Sequence, residues 1–230
     1  MSQRPPRVVP GSVGIFGGTF DPIHVAHLAV AEEAAEALGL ERVLFIPAGQ
    51  PPHKPGRSIT SGEHRLAMVE LAIAGNERFR VGRQELDRSG PSYTVDTLEG
   101  LWTAAGTTPG DGAATSGDGD VPDLTLVLSA EAFLGLMTWR DPRRVLELAR
   151  VVVAPRDGYP DAGPDFLATH LPELSDRATF LDGPRLRLSA SDLRARTAAD
   201  RSLRYLVPDA VAAYIDEHDL YQPPPRSSTS

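Results

Sequence analysis

The stretch Gly14–Leu28, GIFGGTFDPIHVAHL, decides how the rest of the chain is read. Val13–Phe16 is a short apolar run that stops at Gly17-Gly18, the pattern of a buried strand entering a tight turn. From His24 to Leu38 the sequence is Ala-rich, with charges grouped at Glu32, Glu33 and Glu36, and Gly39 stands where a helix C-cap belongs. Glycines at such a turn let the backbone approach a ligand closely. The helix start adds free N–H groups and the positive end of its dipole, which favour an anion. His24 and His27 are three residues apart, so the reading puts them on one helical face, aimed at that anion. The segment contains neither G-x-x-x-x-G-K-[ST] nor G-x-G-x-x-G, which excludes a P-loop and the dinucleotide fingerprint. A lone H-x-x-H pair also fits zinc or two histidines of no special role, but no third ligand lies nearby.

The same alternation runs on from that segment. Strands are expected at Arg42–Pro47, Phe79–Val81, Leu124–Leu128, Val151–Ala154 and Ala178–Leu181. Helices are expected at Glu63–Ala74, Tyr93–Ala105, Glu131–Met137, Asp141–Ala149, Ser189–Ala198 and Pro208–Glu217. Repeated β-then-α order with continuously apolar strands predicts an α/β fold: a Rossmann-like open parallel sheet with helices on both faces. Ligands then belong beyond the carboxyl ends of the strands. Residues 13–221 are read as a single domain, 1–12 as a flexible arm, 103–123 as a mobile loop insertion and 222–230 as a disordered tail.

Composition removes several function classes. The 230 residues contain no cysteine, which excludes disulfides, thiolate metal sites and cysteine nucleophiles. The net charge of −8 and pI of about 5.2 argue against a generic nucleic-acid or anionic-membrane surface. No apolar run approaches the roughly 20 residues of a membrane span, and the N-terminal stretch lacks signal-peptide features. A cytoplasmic location is therefore expected. Of the 23 lysines and arginines only Lys54 is a lysine. The sequence leaves open whether the chain forms a homo-oligomer.

Four more segments carry chemistry. Ser189-Ala190-Ser191-Asp192-Leu193-Arg194 begins with an N-cap pattern close to a capping box, and its hydroxyls and arginine suit a polyphosphate. Pro51-Pro52-His53-Lys54 follows the second strand, where a binding loop belongs. Ser92-Tyr93-Thr94-Val95-Asp96-Thr97-Leu98 opens a helix, with Ser92 or Thr94 available as a cap. Met137-Thr138-Trp139 sits between two short helices, a place where tryptophan is by default a core anchor.

Taken together these segments resemble nicotinate-mononucleotide adenylyltransferases of the H-x-G-H nucleotidyltransferase superfamily. The resemblance runs from Val13 to about Tyr221, and it departs at Ala26, where the family usually has glycine. It implies adenylyl transfer from ATP to nicotinate mononucleotide, giving nicotinate adenine dinucleotide and pyrophosphate in NAD biosynthesis. It implies that His24, His27 and Arg194 act in catalysis. It implies that Phe16, Gly17, Gly18, Thr19, Phe20, Ser189, Ser191 and Arg194 hold ATP. Lys54 is matched to a phosphate-binding lysine, Thr94 to recognition of the pyridine carboxylate, and Trp139 to stacking on the ring. Mg²⁺ is implied as a companion of ATP, with no residue read as a metal ligand. Glu131 stands where the family tends to have aspartate, and Pro155-Arg156-Asp157-Gly158 stands where it usually shows R-P-G. No role is carried over from that loop. A phosphopantetheine or cytidylyl transferase, and a non-catalytic nucleotide-binding regulator, remain as alternatives.

Overall fold

The computed structural model describes residues 8–50, 59–105 and 123–223. Six strands form one sheet: β1 (Val9–Gly18), β2 (Leu40–Pro47), β3 (Phe79–Val81), β4 (Asp123–Ser129), β5 (Arg150–Ala154) and β6 (Ala178–Phe180). Their order is β3-β2-β1-β4-β5-β6, and every pairing is parallel. The expected α/β architecture is what forms. Strand order reverses between β1 and β4, so the two central strands diverge from one crevice at their carboxyl ends.

Alternate residues of each central strand bury opposite faces. Phe16, Val127 and Val152 pack on one side with α1 (Val25–Leu38), α2 (Gly62–Ile73) and α8 (Asp209–Glu217). Ile15, Leu126 and Val151 pack on the other with α3 (Thr94–Ala104), α4 (Ala130–Leu134) and α5 (Pro142–Leu148). Burial on both faces is why the strand sequences read as continuous apolar runs. Trp102 anchors the second layer, its ring buried and its Nε1–H donated to Leu148 O at 3.0 Å.

Several sequence expectations are corrected. Residues 9–12, read as part of a flexible arm, belong to β1. Ser12 holds them: its hydroxyl donates to Val9 O at 2.6 Å and accepts the Glu41 N–H at 3.1 Å. The Gly11 N–H donates to a Glu41 carboxylate oxygen at 2.6 Å. The helix expected over 131–137 ends at Leu134, and a 3-10 turn, Leu136–Thr138, follows. Helix α6 (Asp165–His170) and the 3-10 turn Pro172–Arg177 have no counterpart in the sequence reading, being too short to show a period. The chain closes through α7 (Ala190–Ala198) and α8. Among the described residues, no helix is long and apolar enough to cross a membrane.

Candidate active site

Helix α1 does not begin at His24 as expected. His24 is its N-cap, with extended backbone (φ −147°), and α1 starts at Val25. The two histidines still meet, because N-cap and N3 positions lie above one another. Their rings stack with centroids 3.7 Å apart and planes 15° from parallel. The His24 backbone N–H donates to His27 Nδ1 at 3.2 Å. An accepting Nδ1 carries no proton, so neutral His27 has its proton on Nε2. Phe16 and Phe20 meet the His27 ring edge-on and fix its plane.

His24 is only 4% exposed. Burial first, and the Arg156 guanidinium second, push its pKa down to about 4. It is therefore neutral at neutral pH. Among the described residues its Nδ1 has no hydrogen-bond partner. Leaving a buried polar atom unsatisfied costs about 1–3 kcal/mol.

Three adjoining hollows open above the carboxyl ends of β1 and β4. The largest, about 440 Å³, is lined by Phe16, Gly17, Gly18, His24, His27, Arg156 and Ser189 among others. A second, about 200 Å³, shares both histidines, Arg156 and Ser189, and adds Thr19, Ser191 and Arg194. A third, about 130 Å³, shares Gly17, Gly18 and Trp139 with the largest and adds Thr94. Every residue given a catalytic or binding role in the sequence reading therefore borders this connected groove, except Lys54, which lies outside the described residues. Trp139, unlike Trp102, is only half-buried and lines two of the hollows. Ala26 lines the largest hollow.

The glycine pair divides its work. A Cβ on Gly18 would sit 2.8 Å from the Phe20 ring, so packing demands glycine there. A Cβ on Gly17 would have no protein atom within 4 Å, yet Gly17 lines two hollows. Packing does not require that glycine; keeping the groove floor bare does.

At the far end Ser189 caps α7, accepting the Asp192 N–H at 3.1 Å and donating its hydroxyl to the Asp192 carboxylate at 2.8 Å. Arg194 donates to Asp21 O at 2.6 Å and to Ser191 Oγ at 3.2 Å, which ties α7 to the turn after β1. Ser92, in contrast, does not cap α3. Tyr93 occupies the N-cap position, and the Ser92 hydroxyl accepts the N–H groups of Gly49 and Gln50 at 3.0 and 3.2 Å.

Sequence reasoning missed Arg156. It lines two hollows, acts on His24 and pairs with Glu131 at 3.0 Å. Its neighbours depart from the R-P-G wording, so no pattern marked it. The signal available was positional: a lone arginine just past the end of β5, in the loop facing the crevice.

The cytidylyltransferase-like family matches residues 15–196 of this chain. A Roseiflexus sp. (strain RS-1) protein named "Probable nicotinate-nucleotide adenylyltransferase" is 47% identical over 210 residues, covering 91% of this chain and 98% of its own. A Corynebacterium kroppenstedtii protein of the same name is 40% identical over 211 residues, covering 92% and 91%. The chain belongs to the nicotinate-nucleotide adenylyltransferases. The fold is also that of the Plasmodium falciparum nicotinic acid mononucleotide adenylyltransferase solved in complex with NaAD: TM-score 0.70, 15% identity, 91% of this chain and 97% of that one. That enzyme's complex with APC gives a TM-score of 0.68. At such low identity the likeness concerns the fold alone.

The geometry of this adenylyltransferase site sets three expected outcomes. The His24 pKa lies below the unfolded value of 6.5, so between about pH 6.5 and 4 the unfolded chain binds the proton first. Stability supplied by neutral His24 is thus intact above pH 6.5 and is lost as pH falls towards 4, at about 1.4 kcal/mol per unit. Chemical denaturation should show a shallower loss over that range for His24→Asn than for the wild type; equal slopes would mean that His24 titrates normally. Gly18→Ala should cost about 1–3 kcal/mol by overpacking. Gly17→Ala should change stability by less than about 0.5 kcal/mol while raising the KM for ATP several-fold.

Proposed function

We infer that this chain transfers the adenylyl group of ATP to nicotinate mononucleotide, releasing pyrophosphate. The observation that carries the reading is the continuity of the groove: the histidine pair sits between the Ser189–Arg194 end and the Thr94–Trp139 end. Two phosphate-bearing substrates entering from opposite ends would meet at His24 and His27. A Plasmodium falciparum enzyme of this fold is described as complexed with NaAD, and curated relatives carry the activity in their names.

In this reading a phosphate oxygen of the mononucleotide attacks the α-phosphorus of ATP in line. The bond from that phosphorus to the bridging oxygen breaks, and pyrophosphate leaves with the electron pair. The attacking phosphate is already ionised, so no strong base is needed. Catalysis is positioning and charge neutralisation. Neutral His24 and His27 each offer an N–H to phosphate oxygens. Anionic phosphates beside His24 oppose the effect of Arg156 and draw its pKa upward. Ser189, Ser191 and Arg194 take the β- and γ-phosphates at the start of α7, and Arg156 faces the same charge from the loop after β5. Thr94 and Trp139 take the pyridine ring end, and Lys54 is assigned to the incoming phosphate.

ATP brings Mg²⁺. Among the described residues no three His, Asp or Glu side chains cluster as a metal cage. An Mg²⁺ arriving with ATP would be held by phosphate oxygens and water and would neutralise phosphate charge.

Pyrophosphate release assayed with ATP and paired mononucleotides tests the reading. The expected result is turnover with nicotinate mononucleotide, weaker turnover with nicotinamide mononucleotide, and none with phosphopantetheine. His24→Ala should lower kcat by at least about 100-fold, the scale of one lost transition-state donor, with the fold retained by circular dichroism. Near-normal turnover would remove His24 from the mechanism.

A further inference from the structure

Phe20 sits in the turn after β1 with a backbone φ of +50°, a left-handed conformation that a bulky residue keeps only where its surroundings enforce it. The site depends on that conformation. The Phe20 ring meets His27 edge-on at 5.1 Å, and the chain runs from Phe20 through Asp21, Pro22 and Ile23 into the buried His24. The turn is held at Asp21, which is 4% exposed. Its carbonyl accepts Arg194 at 2.6 Å, one carboxylate oxygen accepts the Thr60 N–H at 3.4 Å, and the other accepts the Tyr221 hydroxyl at 2.7 Å.

Tyr221 lies beyond α8, 200 positions along the chain from Asp21. Its own φ is +66°, so a tyrosine stands where glycine would be easier on the backbone. Its ring packs on the core layer of α1, α2 and α8, with its oxygen 3.9 Å from the sulfur of buried Met68. A phenylalanine would fill that space equally well; only the hydroxyl reaches Asp21. Burial first, and the Asp21 charge second, push the phenol well above its ordinary pKa, so it stays a donor. Hydrogen bonds to an ionised acceptor are among the short and strong ones.

The same end of the chain holds the other side of His24, where Leu206 O accepts the Val25 N–H at 3.1 Å. The backbone is therefore anchored to residues 206–221 both before and after the histidine. Tyr221 lines none of the three hollows, so its influence on them passes through Asp21.

We propose that Tyr221 is a positioning residue for the histidine pair. By holding the Asp21 carboxylate it fixes the turn from Phe20 to His24, and with it the place of both rings against the reacting phosphates. It touches no substrate. The proposal rests on the reading of the site as an adenylyltransferase.

The test uses the full chain as wild type, Tyr221→Phe, Asp21→Ala, the double variant and Ile215→Val. Pyrophosphate release is followed with ATP and nicotinate mononucleotide varied separately, well below every melting temperature. Ile215 is a buried side chain of α8 and controls for a small loss of stability. Tyr221→Phe should lower kcat at least about fivefold, because small misplacements of catalytic groups are costly, with each KM within about twofold. Ile215→Val should leave kcat within about twofold while both variants melt a few degrees early. In the Asp21→Ala background, Tyr221→Phe should lower kcat less than about twofold further, since the hydroxyl has lost the group through which it acts. Wild-type kcat in Tyr221→Phe, equal losses in Tyr221→Phe and Ile215→Val, or a full further loss on top of Asp21→Ala would overturn the positioning role and leave the activity standing. If Asp21→Ala fails to fold, the comparison of Tyr221→Phe with Ile215→Val decides alone. A wild type inactive on nicotinate mononucleotide overturns the functional reading and this proposal with it.

Discussion

The end of β1 is the constraint on which the site depends. This strand lies inside the sheet, buried on both faces, and must leave it and enter α1 within a few residues. The backbone groups exposed by that exit need partners. They are supplied from distant parts of the chain. Ala48 donates to Gly18 O at 2.8 Å, Arg65 to Thr19 O, and Arg194 to Asp21 O, while His27 accepts the N–H of His24. Satisfying one turn thus draws β2, α2 and α7 to the same place. The groove is what remains between them.

That convergence also explains how an acidic protein can build an anion site. Net charge is −8, yet Arg65, Arg156 and Arg194 gather around one turn together with a helix start. Charge at a site is set by local placement, not by the sum over the chain. Arg156 has a second effect. It reinforces burial in keeping His24 neutral, so the ring is a hydrogen-bond donor rather than a fixed cation before substrate arrives.

The fold was legible because the strands are buried on both faces and read as unbroken apolar runs. Much of the candidate site was legible because its residues fall in contiguous motifs: the turn at Gly17-Gly18, the Ser189 cap, and Thr94 at the start of α3. What escaped was set by tertiary structure. Ser92 looks like a cap in sequence, but its hydroxyl is claimed by a loop more than forty positions away in the chain. Arg65 reads as an ordinary helix charge, and only packing shows it facing three carbonyls. Arg156 lies in a loop with no period and no matching motif. Residues 9–12 look like an arm because Pro10, Gly11 and Ser12 are poor strand formers; the bonds of Ser12 and Glu41 override that preference.

The central claim is that His24 waits as a buried neutral imidazole for a polyphosphate. It is tested most directly by following the His24 ring by NMR across a pH titration, with and without a non-hydrolysable ATP analogue. The free protein should titrate near pH 4, and the analogue should move that midpoint upward as phosphate charge outweighs Arg156. A midpoint near 6.5 in the free protein, or one that the analogue leaves unmoved, would contradict the account.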